Sequence, residues 1–412
     1  MEKRTKIAVI GAGISGLGAA YLLHRQNDVT VFEKNAYIGG HTRTLEVKGI
    51  PVDTGFIVYN EPNYPLLSAL FRHLGVATQK SEMSFGASIA DGFLEYSSKA
   101  PFAQRKNIFR PAYLRMVADI LRFNRMAGRY IDVPDITLGE CLDRLEMSEW
   151  FRHYYILAMG AAIWSCSAET MLAFPAGTFL RFFKNHGLLT VSDQPQWYTV
   201  TGGSQAYVRK LTAGFADKIR LNTGARSVLR SATGVVVTDV SGQKHVFDHA
   251  IFASHADETL GMIENPTREE TSVLGSFRYQ NNEAVLHSDT SLMPKNKACW
   301  ASWVYLSERK VSDTPSVSLT YWMNKLQNLP AENPLFVTLN PGRAPNPALT
   351  HDMHKFSHPL FTCEAVSAQS RLPDIQGKNR SHFCGAWTRY GFHEDGLMSG
   401  VAVAKDLGAS WI

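Results

Sequence analysis

The chain has 412 residues, of which 45% are hydrophobic and 19% charged. That balance is ordinary for a globular protein with room for two domains, and it excludes a disordered or fibrous chain. The net charge of +5 is mild, and without an aromatic-basic repeat or a recognition motif it argues against nucleic acid.

In chain order, Lys6 to Ile10 (KIAVI) reads as a buried strand, a glycine turn follows, and Ile14 to Arg25 reads as a helix. Val29 to Glu33 is a second apolar strand, so the first thirty or so residues predict a βαβ unit in a parallel sheet. Residues 76–195 read as helical, basic and aromatic. Within them, residues 101–130 hold seven basic residues (Arg105, Lys106, Arg110, Arg115, Arg122, Arg125, Arg129) against one acid, Asp119. On a helix Arg115, Arg122, Arg125 and Arg129 share one side, and Tyr113, Leu114, Val117, Ile120 and Leu121 share another. The plainer reading is a solvated basic face over a core stripe; the sharper one is contact with anionic lipid headgroups.

The apolar stretch Ile156 to Cys166 is too short to span a bilayer. A helix is predicted at Tyr207 to Phe215, strands at Gly234 to Val240, His249 to Ala253 and His382 to Gly385, and a helix at Leu397 to Leu407. Five scattered cysteines (Cys141, Cys166, Cys299, Cys363, Cys384) never form C-x-x-C, which fits a reducing compartment without a disulfide framework or zinc site. With a strand-like run near the start in place of a signal peptide, the expected location is the cytoplasm, associated with the cytoplasmic face of the membrane if the basic helix touches lipid.

Gly11-Ala-Gly13-Ile-Ser-Gly16 stands after the first strand and opens the first helix. Gly11 permits the tight turn, Gly13 a close approach to pyrophosphate, and Gly16 close helix–strand packing, while the helix start supplies N–H groups to the phosphates. Glu33, 22 positions beyond Gly11, is placed to accept from the ribose hydroxyls. Gly39-Gly40-His41-Thr42-Arg43 allows a second backbone approach to the same nucleotide, and Asp53-Thr54-Gly55-Phe56 returns the chain under a flavin. There is no second G-x-G-x-x-G for a nicotinamide cofactor, so FAD is the expected group.

The run from Ile7 to Tyr59 resembles the flavin-containing amine oxidase and phytoene desaturase superfamily. Phe383-Cys-Gly385-Ala386-Trp387 and Gly391-Phe-His393-Glu394-Asp395-Gly396-Leu397 look like its closing flavin motif, and Arg226-Ser-Val228 like its adenine-binding strand. The resemblance implies an α/β fold, a Rossmann-type FAD domain with a central parallel sheet and an inserted α+β substrate domain. It implies non-covalent FAD contacts at Gly11, Gly13, Ile14, Ser15, Gly16, Glu33, Lys34, Gly39, Gly40, His41, Thr42, Arg43, Thr54, Gly55, Phe56, Val228, Gly385, Ala386, His393, Glu394, Asp395, Gly396 and Leu397. The expected division is FAD domain at 1–75, 200–260 and 355–412, with substrate domain at 76–199 and 261–354.

Middle segments are similar to a bacterial subgroup of FAD-binding dehydrogenases that accompanies cyclopropane-fatty-acid-synthase-like methyltransferases. Among them are Ala162-Ile-Trp164-Ser165, Asn185-His186-Gly187-Leu188, Leu286-His287-Ser-Asp289 and Trp300-Ala-Ser-Trp303. That likeness implies desaturation of a methylated, unsaturated fatty acyl chain on the route to furan fatty acids, with a methyltransferase partner. Amine oxidation and flavin-dependent isomerisation are the alternatives. Two departures weigh against amine oxidation: His41 stands where amine oxidases carry arginine, and no lysine lies in Asn282 to Asp289. A general base would be His393 or, second, Glu394, each with the competing role of fixing the helix start or the cofactor. His186 and His287 are weaker candidates. Trp164, Trp300, Trp303, Tyr321 and Trp322 are candidates for an acyl tunnel or an aromatic core. His351, His354 and His358 lack the carboxylates of a metal site.

Overall fold

A computed structural model describes residues 4–164, 168–190, 194–307 and 318–412. Strand β1 (Lys6–Ile10), helix α1 (Ile14–Leu23) and strand β2 (Asp28–Phe32) form the expected βαβ unit. β1 lies at the centre of a five-stranded sheet in the order Ile219–Arg220, β2, β1, His249–Phe252, Ser381–Phe383, with every pairing parallel. Strands buried on both sides need continuous apolar runs, and Ile7, Ala8, Val9 and Ile10 supply one. Sequence segments more than three hundred residues apart therefore close one sheet.

A seven-stranded sheet stands beside it, in the order Thr350–Leu360, Arg278–His287, Phe336–Leu339, Ser318–Trp322, Trp303–Ser307, Phe85–Ile89, Leu94–Ser97. It is antiparallel except where Phe85–Ile89 meets Trp303–Ser307. Two expectations change here. The stretch after residue 76 begins with strands, including Phe85–Ile89 and Leu94–Ser97, and becomes helical only later. The boundary expected at residue 355 falls inside the strand Thr350–Leu360, which pairs along its length with Arg278–His287.

Helix α2 (Pro65–Leu74) follows the second glycine segment, and helix α3 (Pro111–Met126) carries the basic run. The inner stripe of α3 is Tyr113, Met116 and Phe123, each fully buried. Leu114 and Leu121, expected in that stripe, are 45% and 56% exposed. Asp119 takes the buried place between the two turns because it pairs with Arg115 and Arg122 and accepts from the Ser148 N–H. No helix among the described residues is long and apolar enough to cross a membrane. The motif residues Ala162, Trp164 and Ser165 have side chains outside the described residues.

Candidate flavin site

The glycine turn is packed backbone on backbone. A methyl group at Gly16 would lie 2.0 Å from the Gly11 carbonyl oxygen, and Gly11 itself has a φ of +107°. A methyl group at Gly13 would meet nothing within 4 Å, so the open side of the turn is at Gly13, at the start of α1. Gly39 pairs with Gly13 across an isolated bridge, its N–H donating to the Ala12 carbonyl at 2.7 Å. The two glycine motifs thus face one another.

The C-terminal helix runs from His393 to Asp406, starting three residues before Gly396. It crosses α1 at contact distance: a methyl group at Gly400 would lie 2.2 Å from the Ser15 carbonyl oxygen, and one at Gly18 would lie 2.8 Å from Leu397. Gly396 faces Ile14 and Ser15 in the same way. These small residues let the two helix starts come together at the C-terminal ends of the parallel strands, where open α/β sheets bind ligands. The first N–H groups of both helices have no helical carbonyl to bond, and both helix dipoles point their positive ends here.

Individual side chains depart from the expected roles. Glu33 Oε2 accepts from the Ala12 N–H at 2.9 Å, and Oε1 accepts from the N–H and side-chain amide of Asn35. Glu33 braces the turn, and Oε2 keeps one acceptor position for a ribose hydroxyl. Lys34 is on the surface, paired with Glu258 at 2.6 Å. Arg43 is committed to a bidentate pair with Asp352, at 2.8 and 3.2 Å. Glu394 receives the N–H groups of Leu66 and Leu67 at 2.8 and 3.0 Å, so both of its oxygens are engaged in capping α2, the second of the two roles open to it. Asp395 caps its own helix by accepting from the Phe392 N–H, and burial pushes its carboxyl up to about 6. Asp53 is fully buried and accepts from the Ser204 N–H and hydroxyl and from Gln327; burial raises it to about 6.

His393 stacks on Phe56 with ring centroids 3.9 Å apart, and its Nε2 lies 2.6 Å from the Tyr207 hydroxyl. That hydroxyl also meets Thr42 Oγ1 at 2.7 Å. Burial pushes the imidazole down to about 3, so His393 is neutral near pH 7 and a weak proton acceptor, with one nitrogen already engaged. His41 stacks against Phe356 and lies beside His358, and its buried Nε2 has no hydrogen-bond partner among the described residues. Burial lowers His41 well below the ordinary imidazole range and His358 to about 4.

Thr54 and Gly55 complete the turn under these rings: the Thr54 N–H donates to the Arg43 carbonyl and the Phe56 N–H to the His41 carbonyl. Gly385 donates to Ser399 Oγ, with Ala386 beginning the short turn that leads to His393. Val228 is buried on the Ala225–Arg230 strand, and its carbonyl accepts from the Glu264 N–H.

His186 and His287 are settled elsewhere. His186 Nδ1–H donates to the Phe182 carbonyl, and His287 bonds the Thr338 hydroxyl. Trp303 and Tyr321 pack in the cluster that contains Phe356, whereas Trp300 and Trp322 pack with Phe336 in a separate one. The sequence reading missed Tyr207, which it used only as a helix start, and it missed the ring wall of His354, Phe356 and His358. The signal for the wall is a strict period of two along Thr350–Leu360.

The residues present fit a dinucleotide flavin: an open glycine turn opposite a second glycine pair, two converging helix starts, and an unpartnered buried imidazole nitrogen. Comparison with known proteins agrees. Residues 9–74 match the NAD(P)-binding Rossmann-like domain, and residues 131–281 match the flavin-containing amine oxidoreductase family. The two matched segments are those of a Rossmann-like nucleotide-binding domain and of flavin-containing amine oxidoreductases, and the cofactor that they and the glycine cradle fit is FAD.

The chain is 27% identical over 252 residues to AofH of Mycobacterium tuberculosis, assigned as a flavin-containing monoamine oxidase. That match covers 58% of this chain and 54% of the relative, so the chain spans about half the length of the curated relative. A 4,4'-diapophytoene desaturase of Staphylococcus aureus is 44% identical over 59 residues, 14% of this chain and 12% of that protein. Among solved structures, a fatty acid isomerase from P. acnes that produces CLA shares the fold, with a TM-score of 0.70 at 14% identity over 98% of this chain and 99% of that one.

Proposed function

We propose that this protein is an FAD-dependent dehydrogenase of the flavin-containing amine oxidase kind that desaturates a long, uncharged fatty acyl chain, with a methyl-branched unsaturated chain as the preferred substrate. The observation that carries the reading is the ring wall. Near pH 7 His41, His358 and His393 are held neutral by burial, and the rings they touch, Phe356, Phe56 and Tyr207, carry no formal charge either. The nearby ions are spent: Arg43 on Asp352, Asp53 on Ser204 and Gln327. Such a wall suits a C–H bond in an apolar chain better than an ammonium group.

FAD, when bound, supplies the two-electron acceptor. The chain's own part is to exclude water, orient the substrate against the rings, and hold a proton between Tyr207 Oη and His393 Nε2. The desaturase relative and the isomerase of the same fold lend support, and a methyltransferase supplying the methyl branch belongs to the same reading.

The test is anaerobic mixing of the yellow enzyme with methyl-branched acyl phospholipids while flavin absorbance is followed. Bleaching with a product two hydrogens lighter supports the proposal. No bleaching with any acyl substrate sinks it. Amine oxidation is the second reading, favoured by the family match at residues 131–281, and bleaching by polyamines or aromatic amines alone would establish it. An acyl product of unchanged mass would identify an isomerase.

A further inference from the structure

Large apolar side chains left in water are not scattered evenly over this protein. Of the twelve exposed ones among the described residues, five (Phe102, Ile108, Phe109, Leu114 and Leu121) fall within residues 102–121. Phe109 is the extreme at 85% exposure. Single exposed apolar residues are normal, but a cluster of this size marks an interaction surface. Leu114 and Leu121 are two helical turns apart on one face of α3, and Ile108 and Phe109 sit in the short helical turn (Arg105–Phe109) that leads into it.

Charge selects the partner. The buried Asp119 neutralises Arg115 and Arg122, and Arg110 is held by the Phe93 carbonyl and Asn107. Arg105, Lys106, Arg125 and Arg129 remain exposed with no carboxylate partner among the described residues. A second copy docked on this face would set like charges against each other. An anionic lipid surface satisfies both halves of the pattern, with apolar rings entering the interfacial layer and cations meeting phosphates.

We infer that residues 102–129 dock this protein on an anionic bilayer surface, with Phe109 as the deepest anchor. The inner face of α3 belongs to the same apolar cluster as Phe361 and the packed Phe392, the residue preceding His393. The inference is independent of the acyl reading, because docking on a bilayer places no demand on the substrate's chemistry.

The experiment is flotation of the flavin-loaded protein with vesicles of phosphatidylcholine alone or of phosphatidylcholine and phosphatidylglycerol in equal parts. Wild type is expected to float with the mixed vesicles at low salt and much less with the neutral ones. Phe109→Ser should lower the bound fraction roughly tenfold. Arg105→Ala with Lys106→Ala should lower it roughly tenfold or more and weaken its salt dependence. Both variants should melt as wild type does, since the changed side chains are exposed. Absence of wild-type flotation on mixed vesicles, or variants that float like wild type, would overturn the inference. So would a dimer in solution that Phe109→Ser dissolves while no form binds vesicles, which would assign the face to a second copy.

Discussion

Helix α1 is apolar all round and helix α3 is amphipathic, and the two meet their neighbours in opposite ways. α1 is buried on nearly every side, and it touches the C-terminal helix through glycine, so that backbone lies on backbone. α3 buries one narrow stripe and leaves large apolar side chains in solvent. The difference teaches that a small residue at a crossing fixes geometry, whereas a large apolar residue on a helix does not by itself fix direction. Burial is decided by what stands opposite, and opposite Leu121 there is nothing.

The sharpest way to break the first half of this comparison is Gly400→Val. The branched side chain has no space against the Ser15 carbonyl, so the two helix starts must separate. A loss beyond about 4 kcal/mol is expected, seen as insoluble or colourless protein. On α3, Phe123→Ala should cost about 3–5 kcal/mol in denaturant unfolding, because Phe123 is fully buried. Glu394→Ala removes the cap from α2 and should cost about 1–3 kcal/mol, lowering the melting temperature whether or not substrate is oxidised. A variant that keeps its stability and loses only turnover would return Glu394 to the chemistry.

Titration gives a smaller effect. Burial raises Asp53 to about 6, so its protonated form is favoured in the fold. That contribution is complete below the ordinary carboxyl pKa and is lost as pH rises through about 6. Between pH 5 and 8, unfolding of wild type should lose about 1 kcal/mol more than Asp53→Asn does. Equal slopes for the two proteins would refute the assignment. The smallest effect belongs to Leu121→Ala, which should change stability by less than about 0.5 kcal/mol. Set against Phe123→Ala, two positions away, it tests which stripe of α3 faces inward.

These contrasts also explain what was legible in the sequence. The first βαβ unit could be read because its glycines carry local demands, a tight turn at Gly11 and a close crossing at Gly16, that other residues cannot meet. The ends of the closing helix were harder, since Asp395 caps it from within and moves its start back to His393. Lys34, Arg43 and Glu394 were drawn toward the cofactor by motif, but each has a partner elsewhere in the chain that no local pattern announces. Asp352, which binds Arg43, is 309 residues away in sequence. The alternation of His354, Phe356 and His358 was present in the letters, and only the strand pairing shows which side of it faces His41.

The glycine face of α1 has a further consequence for how the protein is made. Its covering helix and the fifth strand of its sheet come from residues 381–406, which are made long after α1. Until then the nascent βαβ unit exposes bare backbone where Ser15 should meet Gly400, and the cradle has only one of its two helix starts. Flavin loading is therefore expected only once residues 393–406 have been made. Ribosome-stalled chains that stop before residue 390 should capture no flavin, while released chains that include residues 390–412 turn yellow.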